Sequence, residues 1–473
     1  MMILRKHIFG YVTAVMFLSF GFSSCKLGQK YVSPDVNLPS ELYDGTTADD
    51  ALANDTITIA DRRWWEVYTD TALQSLINKT LEYNKDLLMA RARIEELAAM
   101  KRISTSALFP QVNGEAYGQK ETLNYGGDNL KHDPEYGLKV SATWELDLWG
   151  NIRWARDKSI AEYLSAIESR RALQISLIAQ VATSYFQLVA LDTELDIVRR
   201  TLHARQEGVR LAKLRFEGGL TSEMAYQQAR VEYARTATLI PTLEKSIAIK
   251  ESDIAFIAGE YPAHIARNTS SIDTVMPTSL PVGLPSELLM RRPDVRAAEQ
   301  ALRAANAAVG VAYTNRFPRL ALTARAGLEN EELTDFLKSP MTFFSGALTG
   351  PIFDAGNRQA SYRAKQAAYE RETLNYQKTV LAAFKDAHDA IVSYSKTSDI
   401  YQSRLELLRA AKTAADLAQL QYINGVIGYL DVLDAQRSYF DAQIGFSNAN
   451  RDACIAFVAL YASLGGGWTP DSE

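Results

Sequence analysis

Two carboxylates raise the first question of chemistry. In the run Tyr429-Leu430-Asp431-Val432-Leu433-Asp434-Ala435, Asp431 and Asp434 stand three residues apart, so on a helix both side chains lie on one face. Taken alone, the pair is an ordinary solvated face, with Arg437 at i+3 from Asp434 as a ready partner. Repeated around a symmetry axis, each position becomes a ring of like charges, which selects and holds cations or narrows the space it encloses. Catalytic chemistry finds no comparable foothold. The five histidines, His7, His132, His203, His264 and His388, are scattered and none has a partner at His-x-x-x-His spacing. Gly465-Gly466-Gly467 lacks the Lys-Ser/Thr that completes a phosphate loop. The sequence therefore reads as neither an enzyme nor a metal or cofactor protein.

Cys25 carries a different chemistry. Arg5, Lys6 and His7 precede an apolar stretch from Ile8 to Phe22, and Ser23-Ser24 lead into the cysteine, the layout of an export signal. The stretch is about 15 residues, short of the roughly 20 that span a bilayer. A small-residue pair ending in Cys is the pattern of a lipoprotein signal, in which Cys25 is acylated and becomes the new N-terminus; Phe22 departs from the usual Leu. Beyond this leader the best apolar run, Cys454 to Leu464, has 11 residues, so a mature chain that crosses a membrane must do so with strands of a closed barrel. The second cysteine, Cys454, lies far from the first, and two cysteines make no disulfide framework. A net charge of −5 carries no basic nucleic-acid footprint.

The elements that would position these residues come twice. Phe109-Pro110 recurs as Phe317-Pro318, Gly150-Asn151 as Gly356-Asn357, and Gly219 as Gly425, at shifts of 206 to 208 residues, which marks an internal duplication. In each copy a helix ends in Phe-Pro, two alternating segments follow, and Gly-Asn opens a very long helix that reaches a glycine turn and a further helix. From Ile152 to Phe216 there is no proline, giving on the order of 100 Å of helix. Leu188, Leu191, Leu195, Val198, Leu202 and Val209 follow steps of three and four, interrupted by Arg205. Val380, Phe384, Ala387, Ile391, Tyr394, Tyr401, Leu405 and Leu408 do the same in the second copy, with Ser398 filling one position. This is a coiled-coil seam, with small and aromatic members suited to a curved wall of helices.

The short segments alternate with period two. Leu138, Val140, Ala142, Trp144 and Leu146 oppose Lys139, Ser141, Thr143, Glu145 and Asp147; Leu320, Leu322, Ala324, Ala326 and Leu328 oppose Arg319, Thr323 and Arg325. Apolar on one face and polar on the other over about 10 residues is the transmembrane-barrel pattern, shared with sandwich strands solvated on one side. Polar loops are expected over Glu121 to Tyr136 and Glu329 to Pro340. Two hairpins supply four strands, bacterial barrels begin at eight, and three chains supply twelve. The expected fold is mainly α with a β-barrel part: an internally duplicated chain whose long antiparallel coiled-coil helices form a trimeric α-barrel, with four strands per chain in a shared 12-stranded β-barrel.

Several ordered motifs give the chain a recognisable character: Leu288-Leu289-Met290-Arg291-Arg292-Pro293-Asp294-Val295-Arg296, Asn315-Arg316-Phe317-Pro318, Trp144-Glu145-Leu146-Asp147-Leu148-Trp149-Gly150, Gly350-Pro351-Ile352-Phe353-Asp354-Ala355-Gly356 and Leu464-Gly465-Gly466-Gly467-Trp468. Through them, from about Trp64 to Trp468, the chain resembles the TolC-like outer-membrane factors, in their lipoprotein (OprM- or NodT-like) branch. The resemblance implies a homotrimer in the outer membrane with its helices in the periplasm. It also implies a periplasmic adaptor (membrane fusion) protein and an inner-membrane RND-type pump as partners. It makes the turns Gly218-Gly219-Leu220-Thr221-Ser222 and Asn424-Gly425-Val426-Ile427-Gly428, flanked by Arg215 and Tyr422, the periplasmic tips where the adaptor docks. The positions Leu430, Asp431 and Asp434 become the narrow periplasmic entrance. Some relatives latch that entrance with an Arg on the second tip bonded to an Asp after the first; here Ile427 and Ala225 hold those places, so a closed state would rest on Leu430 and the acidic rings.

The expected organisation is a signal peptide over 1–24, a lipidated extended segment over 25–63, and a first repeat over 64–263 with a hairpin at 112–147 and a tip at 218–222. A linker over 264–284 leads to a second repeat over 285–464, with a hairpin at 318–353 and a tip at 424–428, and a tail over 465–473 ends the chain. The function expected is a passive exit duct for substrates delivered by a pump and adaptor. The alternatives are a type I protein secretion duct and a poreless periplasmic coiled-coil lipoprotein, which would need no strands with an apolar face. The nine methionines are dispersed and suggest no copper path.

Overall fold

The computed structural model describes residues 26–35, 59–124, 130–268 and 291–467. Cys25 and the signal peptide, residues 36–58, most of the linker, Leu288 to Met290 and the tail from Trp468 lie outside the described residues. A short turn of helix, Trp64–Val67, precedes the main elements. These are α1 (Thr71–Tyr83), α2 (Lys85–Ser106), β1 (Gln111–Asn124), β2 (Leu130–Leu146), α3 (Asn151–Glu217), α4 (Glu223–Ala237), α5 (Leu239–Ile257), α6 (Pro293–Thr314), β3 (Arg319–Asn330), β4 (Pro340–Thr349), α7 (Asn357–Ile423) and α8 (Tyr429–Ser463). They divide between two compact units. One holds Arg93–Ile167 and Ala297–Gln377 with the N-terminal segment to Asp35; the other holds Val36–Ala92, Glu168–Arg296 and Lys378–Glu473.

The first unit contains the sheet, four antiparallel strands in the order β1-β2-β3-β4. The register places Val112 beside Ala142, Val140 beside Ala326, and Ala324 beside Phe344. Because side chains alternate across a pleat, one face carries Val112, Leu138, Val140, Trp144, Leu320, Leu322, Phe344 and Leu348. Of these, Val112, Leu138, Val140, Trp144, Phe344 and Leu348 are exposed. The opposite face carries Glu115, Tyr117, Lys139, Arg325 and Glu329, with Lys139 Nζ 2.9 Å from Glu329 Oε2. Phe343 shares this polar face and lies under the Arg325 guanidinium. The strands run further than the alternation suggests: β1 continues to Asn124 and β2 starts at Leu130, inside the stretch expected as a loop. The apolar/polar alternation does not continue into these ends, and a ladder of backbone bonds needs no apolar partner.

Each hairpin returns to a helix through the same device. Asp147 accepts from the backbone N–H of Ile152 and Arg153, both at 3.0 Å, and from Arg153 Nε at 2.9 Å. In the second copy Asp354 accepts from the N–H of Gly356 and Arg358. Gly150 and Gly356 between them adopt φ of 83° and 85°, a region that glycine enters without steric cost. At Gly150 a side chain would also strike Lys26, whose backbone passes within 2.9 Å of the Cβ position. Lys26 is ion-paired with Asp157 and lies over the Trp154 ring, and Trp154 Nε1 donates to Leu27 O, so the segment after Cys25 is fastened to the start of α3.

In the second unit the core gathers Leu73 and Ile77 of α1, Val181, Tyr185 and Leu188 of α3, Ile254 of α5, Ala387 of α7 and Tyr461 of α8, all buried. Tyr185 donates to Asp70 Oδ2 at 2.6 Å. The seam of α7 meets α8 through Tyr394 with Phe457 and Tyr401 with Phe446. Two expectations need correction. One 18-residue window of α3 is apolar enough to cross a membrane by length and composition, but half of it is buried inside the chain. The helix after the first tip is also not continuous: α4 ends at Ala237 and α5 begins at Leu239, because Pro241 has no N–H to offer the carbonyl four residues back.

Candidate functional site

The two helical hairpins reverse at their glycines. Gly219 and Gly425 have φ of 72° and 74°. Leu220 N–H donates to Arg215 O and Val426 N–H to Gln421 O, at 2.8 and 2.9 Å, the six-to-one bond that closes a helix whose next residue is left-handed. Leu220 and Val426 point outward from the tips, 73% and 70% exposed; Gly218, Gly219, Ser222 and Gly425 are exposed, and Thr221 and Ile427 half-buried. Tyr422 differs from this set. It is buried, its ring is covered by the Arg215 guanidinium at 4.6 Å, and Tyr429 packs beside it at 5.5 Å. Arg215, half-buried, and Tyr422 thus brace the two tips against each other within the chain; of the two, only Tyr422 is buried away from the surface.

Past the second tip α8 begins with Gly428 as its cap, whose N–H donates to Asp431 Oδ2 at 3.0 Å. The Asp431 carboxylate therefore also closes the helix start, where a negative charge is favoured by the helix dipole. Val432 and Leu433 are buried and fix the helix, while Leu430 (62% exposed), Asp431 and Asp434 face away from the protein interior. The three entrance candidates share one exposed surface in the first two turns of α8.

Arg437 does not serve Asp434 as its i+3 spacing suggested. Its Nη2 donates to Glu232 Oε1 of α4 at 2.7 Å. Glu232 is 2% exposed and also faces Arg205 of α3, whose Nη1 lies 3.1 Å from Oε2. Arg205 donates as well to the Glu232 carbonyl and to the Thr236 hydroxyl, and sits against the Phe440 ring. Burial pushes the Glu232 carboxyl upward, but the Arg437 hydrogen bond and the charges of Arg205, Arg437 and Arg235 outweigh it and hold the group below its ordinary value. Burial lowers Arg205, with Glu232 opposing. Burial, then the neighbouring Tyr422, pushes the Tyr429 hydroxyl up to about 12. Arg205 was visible in the sequence as the charged residue interrupting an apolar seam, whereas Glu232 gave no signal. Among the described residues no group of three or more His, Cys, Asp or Glu is placed to hold a metal ion.

Comparison with known proteins agrees with this architecture. The family model described as Outer membrane efflux protein matches twice, over residues 76–260 and 284–466. The solvent efflux pump outer membrane protein SrpC of Pseudomonas putida is 30% identical, with 96% of this chain and 98% of that protein covered. The cation efflux system protein CusC of Escherichia coli strain K12 is 28% identical over 95% of this chain and 98% of its own length. Among solved structures, the outer-membrane channel OprN superposes with a TM-score of 0.86 at 29% identity, covering 94% of this chain and 100% of that one. A crystal structure of CusC gives 0.81 at 27% identity, with the same coverage. With its duplicated hairpins, two-faced sheet and glycine-tipped helices, the chain belongs to the outer membrane efflux protein family.

Proposed function

We propose that the chain is the outer-membrane channel subunit of a tripartite efflux system, a passive trimeric exit duct for substrates handed on by an inner-membrane pump and a periplasmic adaptor. The observation that carries this is the sheet. Its four strands share one face that is apolar over the helix-proximal part of the sheet, and among the described residues no strand pairs with the outer edges of β1 and β4. Unpaired edges are not tolerated in lipid, so the sheet closes with copies of itself, and three chains give a twelve-stranded barrel. The family and the relatives above are channels, and no catalytic step is assigned to this one. The similar proteins are named for cation, solvent and antibiotic efflux at 28 to 30% identity, which supports a wall that leaves substrate choice to the pump.

Within that duct, Leu430, Asp431 and Asp434 form the periplasmic entrance, with each carboxylate tripled into an acidic ring. The adaptor docks on the exposed tip residues Leu220 and Val426 and the glycine turns around them. Cys25 carries the lipid, fastened to the wall through the Lys26 and Trp154 contacts. Purified mature trimer in planar bilayers tests the entrance. Small, cation-selective openings that grow in Asp431→Ala/Asp434→Ala are expected; equal conductance in the two proteins would refute the entrance assignment while leaving the channel in place. A mature N-terminal peptide at Cys25 without acyl mass would refute lipidation.

A further inference from the structure

In the first unit three cations lie over aromatic rings along one line. Arg303 stands over Tyr31 at 4.9 Å, Lys26 over Trp154 at 3.3 Å, and Arg316 over both Tyr313 and Tyr362 at 5.6 Å. The line is drawn by the segment after Cys25. Tyr31 donates to Glu299 of α6 at 3.4 Å, Gln29 O accepts from Asn306 at 3.3 Å, and Trp154, which donates to Leu27 O, fills the space beside Gly310. Glu299, Arg303, Asn306 and Gly310 follow steps of four, three and four, one face of a helix, and Tyr313 is the next residue on that face. From Tyr31 back to Lys26 the segment therefore approaches Tyr313, and the proposed lipid carrier Cys25 is joined to Lys26 at a Cα spacing of about 3.8 Å.

This end of the face coincides with the start of the sheet. Arg316 lies three residues before Arg319 opens β3, and the helix end of the sheet carries the exposed apolar Val112, Trp144 and Leu348. Phe317 joins the cluster, 5.6 Å from the Tyr313 ring and 5.2 Å from Trp149. Aromatic rings collect where a barrel leaves the hydrocarbon for the headgroups. Lys26 is paired with Asp157 and Arg303 with Glu299, whereas Arg316 is exposed and has no carboxylate partner among the described residues. A guanidinium held against rings without a carboxylate keeps its forked N–H donors for two oxygens of a phosphate.

We propose that Arg316, braced by Tyr313 and Tyr362, binds the phosphodiester headgroup of a phospholipid in the leaflet that receives the Cys25 lipid. The proposal rests on the reading of the chain as a lipid-anchored outer-membrane duct. The site sets the height of the duct in the bilayer: acyl chains lie against the apolar strands, the phosphate meets Arg316, and the helices beyond stay in water. Free phosphate carries the same charge but gains nothing from the apolar strands beside the site, so the occupant is the lipid.

Native mass spectrometry of the mature trimer in detergent tests this, with phosphatidylglycerol titrated against diacylglycerol, which has the acyl chains and no phosphate. Arg316→Met, which keeps the stem and removes the charge, is expected to weaken phosphatidylglycerol binding about fivefold, the scale of one cation at a lipid surface, and to leave diacylglycerol binding unchanged. Arg316→Lys, which keeps the charge, is expected to stay within about twofold of wild type on the same scale. Should Arg316→Met fail to assemble, Arg316→Gln carries the same expectation. Equal phosphatidylglycerol binding in wild type and Arg316→Met overturns the headgroup site and leaves the channel standing. Displacement of the lipid by excess inorganic phosphate, but not by sodium chloride of the same ionic strength, makes this a free-anion site and overturns the lipid assignment. A wild-type trimer that takes up neither lipid overturns the membrane reading, and the site with it.

Discussion

The duplicated strand-to-helix junction offers a controlled comparison, since one residue type does one job in two environments. Asp147→Ala removes a carboxylate that accepts from two backbone N–H groups of α3 and from Arg153 Nε at 2.9 Å, with the aspartate side chain 11% and the arginine 27% exposed. A helix cap of this kind contributes about 1 kcal/mol, and a hydrogen bond to a charged partner in a partly enclosed site about 1.5–3 kcal/mol, so the loss is about 3 kcal/mol. Asp354→Ala removes two backbone bonds, from Gly356 just before α7 and from Arg358 in its first turn, at 3.0 and 3.2 Å, but its arginine stands 3.6 Å away with both side chains about a third exposed. Solvent screening leaves that pair about 0.5 kcal/mol, and the whole loss near 1.5 kcal/mol. Heating detergent-solubilised trimers while following the SDS-resistant band and far-UV ellipticity should show Asp147→Ala lowering the midpoint about twice as far as Asp354→Ala. Asp147→Asn, which keeps one acceptor oxygen, should fall between wild type and Asp147→Ala. Equal shifts, or a larger one for Asp354→Ala, would refute the reasoning that burial of the arginine pair sets the difference.

Other outcomes follow from single positions. Gly219→Ala and Gly425→Ala each place a Cβ in open space but at positive φ, so they cost about 1–2 kcal/mol, read as faster amide exchange at the tips; Gly218→Ala, whose backbone is not left-handed, should be silent. Gly310→Ala sets a Cβ 2.4 Å from the Trp154 ring, and overpacking of about 1–3 kcal/mol should reduce the yield of folded trimer. Leu220→Asp and Val426→Asp should abolish adaptor pull-down while leaving trimers intact; retained binding would move the docking surface elsewhere. Cys454 is buried and its thiol is pushed up to about 12, so it stays protonated at pH 8 and should resist iodoacetamide in the native trimer but react once the chain is unfolded.

Much of this was legible in the sequence, for identifiable reasons. The alternation in β2 and β3 is periodic enough to fix which residues share a face, because a one-residue slip would reverse every side chain. The tip glycines and the Gly-Asn junctions were visible because positive φ restricts residue choice and the duplication printed each twice. The strand ends were not visible, since a ladder over 121–124 and 130–136 holds without apolar alternation. Nor was the break between α4 and α5, where Pro241 sits inside an otherwise helical pattern. The pairing of Arg437 was misread because i+3 spacing made Asp434 the obvious partner, while Glu232, 205 residues away, approaches only when the two hairpins fold side by side. Burial of Tyr422 was hidden for the same reason.

The central claim, that four strands per chain close with two further copies, is tested most directly by cross-linking the open edges. Val112 near the start of β1 and Leu348 near the end of β4 both lie on the apolar face and at the helix end of the sheet, so they become neighbours only across a subunit boundary. Val112→Cys/Leu348→Cys, with Val112→Cys/Gly346→Cys one step along the register, should give covalent dimers and trimers on oxidation in native membranes. Monomer alone from both pairs, in protein that still migrates as an assembled oligomer, would contradict a shared barrel.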